Sequence, residues 1–156
     1  MNPKRRPTKP RKKRLPWMIA DLLTPLPGEH IEFDDRGLKS LSGDHLRWSL
    51  GWQEIRRIGW MTEDTGIAVT DDRFLVLQAP DTVYFLADGA QGVAELDREI
   101  ERRFKLSYGP LGSLANRTDN ASVVTWPAED SGRELWALLE RDFGNNVPVH
   151  YMTSRT

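Results

Sequence analysis

The chain has 156 residues, no cysteine and a formal net charge of −1. Without thiols, disulfides, thiolate zinc sites and cysteine nucleophiles are excluded together. The length allows one domain of about 115 to 130 residues plus tails, and a chain of that size buries roughly two thirds of its extended surface.

The first fourteen residues hold eight cations: Lys4, Arg5, Arg6, Lys9, Arg11, Lys12, Lys13 and Arg14. They hold no acid, three prolines and no aliphatic residue after Met1. Such a segment cannot offset its ordering entropy by burial, so residues 1–14 are expected to be a disordered basic arm. The remainder has 14 basic against 23 acidic groups, a net of −9. A cationic arm therefore hangs on an anionic body. Residues 15–28 predict a short helix and a linker. Pro16 falls in the first turn, Leu15, Ile19 and Leu22 share a side, and the Pro-Leu-Pro-Gly stretch at 25–28 stops the helix. The apolar run from Leu15 ends at Asp21, far short of the ~20 residues of a membrane span. No small-x-small cleavage site follows it, so a signal peptide is not expected either.

Residues 29–144 predict a single α+β domain. Short strands are expected at 30–33 and 38–41, each followed by turn residues. From 45 onward Leu46, Trp48, Leu50 and Trp52 alternate with Arg47, Ser49 and Gly51, the period of a strand with one buried face. Ile58 and Trp60 resume that parity and Ile55 breaks it, which calls for a bulge or one helical turn between them. Further strands are expected at 67–70, 73–78 and 82–87, separated by Asp-Asp and Ala-Pro-Asp turns. The Phe-Leu-Val-Leu stretch within 73–78 is apolar on both faces and predicts a central strand.

A helix is expected from about 90 to 104, with Val93, Leu96, Ile100 and Phe104 as its stripe and Asp88 as its N-cap. Glu99–Arg103 and Glu101–Lys105 have the spacing of favourable surface pairs. Residues 107–120 predict a loop, and 123–126 a strand. A second helix is expected near 130–143, with Leu135, Trp136, Leu139 and Phe143 inward and Ser131 and Glu134 at capping-box spacing. Residues 145–156 predict a C-terminal tail. The expected fold is α+β: a mostly antiparallel sheet of five to seven strands packed against the first helix, with the second covering an edge or end.

Several motifs between Trp52 and Trp126 carry a resemblance. They are Trp52-x-x-Ile55-x-x-Ile58, Thr62-x-Asp64-x-Gly66, the Asp71-Asp72 pair before an apolar strand, the Gly92-Val93 helix start with Leu96, and Asn120-Ala121 leading to Trp126. Over about half its length the chain resembles a family of small bacterial proteins to which no activity is attached. The order of strands and then a closing helix also resembles pleckstrin-homology-like domains. The resemblance implies a compact domain of the bacterial cytoplasm and implies no reaction.

The acidic pairs Asp34–Asp35, Glu63–Asp64 and Asp71–Asp72 all fall in expected turns, where Asp bonds the backbone. Glu63, Asp64, Asp71 and Asp72 can combine into an acidic rim that meets a basic partner. His30, His45 and His150 have no metal-ligand or catalytic spacing, and no nucleophile elbow, phosphate loop or dinucleotide fingerprint occurs. Trp48, Trp52 and Trp60 read as core. The pattern calls for no catalytic residue, no metal and no cofactor. The expected function is a non-enzymatic protein-interaction module, of the immunity type, that neutralises a basic protein. The alternative is an adaptor that binds nucleic acid or anionic lipid through the arm from Lys4 to Arg14. A third reading is an enzyme that gathers His45 or His150 with carboxylates.

Overall fold

The computed structural model describes residues 28–63, 72–106 and 121–152. The expected basic arm, the helix at 15–24, the strand at 67–70 and the loop at 107–120 lie outside these residues.

The fold is α+β. A three-stranded antiparallel sheet holds β1 (Glu29–Phe33), β2 (Gly37–Ser42) and β3 (His45–Gly51) in that order. A single 3-10 turn, Trp52–Glu54, then leads to β4 (Arg57–Glu63), which is the helical turn that Ile55 demanded. β5 (Asp72–Gln78) and β6 (Val83–Ala87) follow, then α1 (Val93–Arg103), β7 (Ala121–Trp126), α2 (Leu135–Phe143) and β8 (Val149–Met152). The second sheet has the order β7-β4-β5-β6-β8, antiparallel except for β6 and β8. The expected sheet is thus two sheets, and β5 is the centre of the larger one.

The larger sheet is covered on both faces, which is why Phe74–Leu77 of β5 and all of β6 are buried. On one face Phe85 stacks on Trp136 of α2 at 5.8 Å, and Gly59 lies under Leu135. On the other face Tyr84 packs on Trp48 of β3, with ring centroids 4.5 Å apart. Trp48, Trp52 and Trp60 are all buried, as expected of core. Val93, Leu96 and Ile100 of α1 join the same core.

Leu46 departs from its expected place. It is 60 % exposed although Trp48 and Leu50 are buried. The β2–β3 register explains this: Ser40 faces Trp48 and Leu41 faces Leu46, so Arg47 is an extra residue. A bulge there inverts the parity and sends Leu46 to the outer face.

Both helices start later than expected. α1 begins at Val93, and Gly92, not Asp88, occupies its N-cap position with φ of 89°. The intervening turns bring the Gln91 carbonyl to the Ile31 amide at 3.0 Å, so the segment ties α1 to β1. α2 begins at Leu135, because residues 132–133 pair with β7 instead. The Gly132 amide donates to the Val124 carbonyl and the Val124 amide to the Arg133 carbonyl. The Ser131–Glu134 capping box does not form; Ser122 Oγ from β7 accepts from the Trp136 amide at 3.1 Å. The last segment is also more ordered than a tail. Val149–Met152 add in parallel to β6, and Met152 is buried.

Candidate interaction surface

Antiparallel pairing of β4 and β5 runs from Arg57–Gln78 at one end to Glu63–Asp72 at the other. The register therefore places two acidic residue types opposite each other at the end of this ladder. Asp64 and Asp71 adjoin them in sequence and lie outside the described residues. Residues 63–72 hold four acids and no base.

The structure extends this acidic end with residues that sequence reasoning missed. The Asp88 amide donates to the Arg73 carbonyl at 2.9 Å, which fixes the segment after β6 beside the start of β5. The charge of Asp88 acts in turn on Asp97 of α1. Burial, and then the neighbouring Glu101 and Asp88 carboxylates, raise the pKa of Asp97 above the ordinary aspartate value. None of Asp88, Asp97 and Glu101 has an ion-pair partner among the described residues. The expected Glu101–Lys105 pair is therefore not made. The opposite flank of α1 is neutralised. There Glu95 meets Arg98, and Glu99 meets Arg102 and also Arg103 at 2.7 Å. A helix whose acids are paired on one flank and unpaired on the other projects a one-sided negative field. The only sequence signal was the i, i+4 spacing of Asp97 and Glu101; Asp88 reaches them through the fold.

Asp34 has a structural task, as its turn position suggested. Its carboxylate accepts from the Arg36 and Gly37 amides at 2.8 and 3.2 Å, which holds its pKa below the ordinary range.

The three histidines occupy three different strands. His30 in β1 is hydrogen bonded to the Gly28 carbonyl at 2.9 Å and to Glu32 at 3.1 Å, and both partners raise its pKa. His45 is exposed where β3 begins. His150 in β8 stacks against Tyr84 at 5.3 Å and Trp48 at 6.0 Å. Burial, and then the charge of Arg47, lower its pKa. Among the described residues no group of three His, Asp or Glu side chains could hold a metal ion.

A polar cluster around Arg57 is another feature that sequence reasoning missed. Arg57 of β4 is 11 % exposed and donates to Asp130 at 2.8 Å, to Gln78 of β5 at 2.8 Å and to Asp142 of α2. Gln78 also donates to Asp142 at 2.8 Å. One guanidinium thus ties two strands, the 127–134 turn and α2. Every polar partner in the cluster is engaged within the chain, which makes it a clamp between elements.

No family model, curated protein or solved structure matches the chain. Among the described residues, no helix is long and apolar enough to cross a membrane.

Proposed function

We propose that this domain is a non-enzymatic protein-interaction module of the bacterial cytoplasm, of the immunity type, that captures a basic protein partner. Its surface for that partner is the acidic end formed by Glu63, Asp64, Asp71 and Asp72 with Asp88, Asp97 and Glu101. The observation that carries this reading is the unpaired, crowded flank of Asp88, Asp97 and Glu101 beside the start of β5. Surface carboxylates without an ion-pair partner gain most when a basic partner arrives; the one cation at this end of β5, among the described residues, is Arg73 beside Asp88. A one-signed patch also raises encounter rates by about 10- to 1,000-fold at low salt.

The test is association of the full chain with an octa-arginine peptide at several salt concentrations. Reversal of Glu63, Asp64, Asp71 and Asp72 to Lys is expected to slow association about tenfold or more at low salt. The same number of reversals at Glu95, Glu129, Glu134 and Glu140 is the control and should slow it far less. Equal effects of the two sets would remove the acidic end as the steering surface. Binding to duplex DNA or anionic vesicles that survives the rim reversals and vanishes when residues 4–14 are deleted would move the function to the arm.

A further inference from the structure

β8 is four residues long and, among the described residues, pairs with β6 alone. Its approach is fixed by the Val83 amide, which donates to the Pro148 carbonyl at 2.9 Å. Its side chains anchor it on both faces of the larger sheet. Tyr151 meets Phe74 at 5.2 Å and Phe85 at 6.3 Å on the α2 side. His150 meets Tyr84 and Trp48 on the other side. Because Trp48 belongs to β3, His150 is also where β8 touches the smaller sheet. Its ring lies near parallel to both neighbours, at 23° and 28°. One of the anchors of this short strand is therefore the side chain that titrates near neutral pH.

The surroundings of His150 suit a neutral ring. From β3 it faces the positive charge of Arg47. That guanidinium is partly offset by Glu29 of β1, at 3.3 Å. From β6 it faces the Tyr84 ring, whose hydroxyl is held in its neutral form by burial and by Glu54 and Asp81. The two aromatic faces attract an imidazolium, whereas burial and the like charge of Arg47 oppose it. Among the described residues, no carboxylate acts on the His150 ring.

We propose that β8 is an acid-releasable strap: protonation of His150 loosens Val149–Met152 from β6 and bares the β6 edge. β6 is buried along its whole length, so its release uncovers an apolar strand with unpaired backbone groups. The sign follows from linkage. A histidine whose folded-state affinity for protons is lowered binds more protons when released. Attachment of the strap is therefore complete above the free histidine pKa of about 6.5 and is lost as pH falls below it, by at most about tenfold per pH unit.

Amide hydrogen exchange of the full chain tests this at two pH values, about 7.5 and about 5.5, on either side of that pKa, with correction for the intrinsic exchange rate. Protection of the β8 amides is expected to fall by about threefold or more at the lower pH, while β4 and β5 amides keep theirs. In His150→Phe the β8 protection should be the same at both values. Arg47→Gln should shrink the pH response without touching the β8 anchors. An unchanged wild-type β8, or an equal loss in His150→Phe, overturns the proposal. Equal losses in β8 and β5 overturn it too, because they report global unfolding.

Discussion

Arg57→Ala is expected to lower the free energy of unfolding by about 3 kcal/mol, the scale for leaving partly buried charges without their partner. Arg57 is nearly buried, and its loss removes the guanidinium bond from Asp130, Asp142 and Gln78 at once, leaving Asp130 with Arg133 and Asp142 with Gln78 and Arg141. Burial alone would lower the Arg57 pKa, but its bonds to Asp130 and Asp142 win and raise it. The two acids differ in balance. For Asp130 the Arg57 hydrogen bond is the largest influence and lowers the pKa. For Asp142 burial acts first and upward, and the bonds from Gln78, Arg57 and Arg141 outweigh it. Carboxylates held below their ordinary value of about 3.9 contribute stability above that pH, and the contribution is lost as pH falls through the folded-state value. The variant should therefore also lose part of the acid-limb slope. Arg57→Lys should rescue little, since a lysine cannot present the planar fork that spans these acceptors. Urea denaturation at neutral and acid pH measures both effects. A loss under about 1 kcal/mol would place the cluster with ordinary surface ion pairs.

Gly92→Ala is expected to cost a similar amount for a different reason. Gly92 has φ of 89°, and a Cβ there would lie 2.3 Å from the Ile31 carbonyl oxygen. The neighbour is backbone of β1, so it cannot rotate away. Relief requires separating α1 from β1, at the expense of the bond from Ile31 to Gln91. Left-handed backbone alone costs an alanine roughly 1–2 kcal/mol. The clash should raise the total to about 3 kcal/mol or more. Gly43→Ala separates the two contributions. Gly43 has φ of 58° and open space around its Cβ position, so it should show only the conformational part. Thermal unfolding of both variants checks this; equal shifts would mean that the β1–α1 approach is soft.

Much of the fold was legible because burial leaves a periodic trace. Phe74 to Leu77 are apolar at every position because both faces of β5 are buried. Val93, Leu96 and Ile100 mark the α1 stripe with no ambiguity. What escaped was set by pairing between distant residues. The exposed Leu46 follows from one extra residue, Arg47, in a register that only the β2–β3 ladder defines. β8 was missed because four residues beside a proline carry little strand signal, and their partner β6 lies more than sixty residues earlier in the chain. The clamp was missed because Arg57 reaches acids 73 and 85 positions away. At the candidate surface, the acidic types at 63–72 were readable as a cluster in turns. Their extension through Asp88 to Asp97 and Glu101 required the hydrogen bond that seats Asp88 beside β5.

Backbone amide shifts of the full chain, recorded as octa-arginine is added, locate the basic-partner surface without assuming it. A rim that receives cations predicts perturbations at the ends of β4 and β5, at residues 63–72, at Asp88 and along the Asp97–Glu101 flank of α1. These should fade together as salt rises. Shifts centred instead on the Arg57 clamp, on Trp48, Tyr84 and His150, or on the paired Glu95–Arg98 flank would contradict it, because the cation would then be bound where its own cations already neutralise the domain.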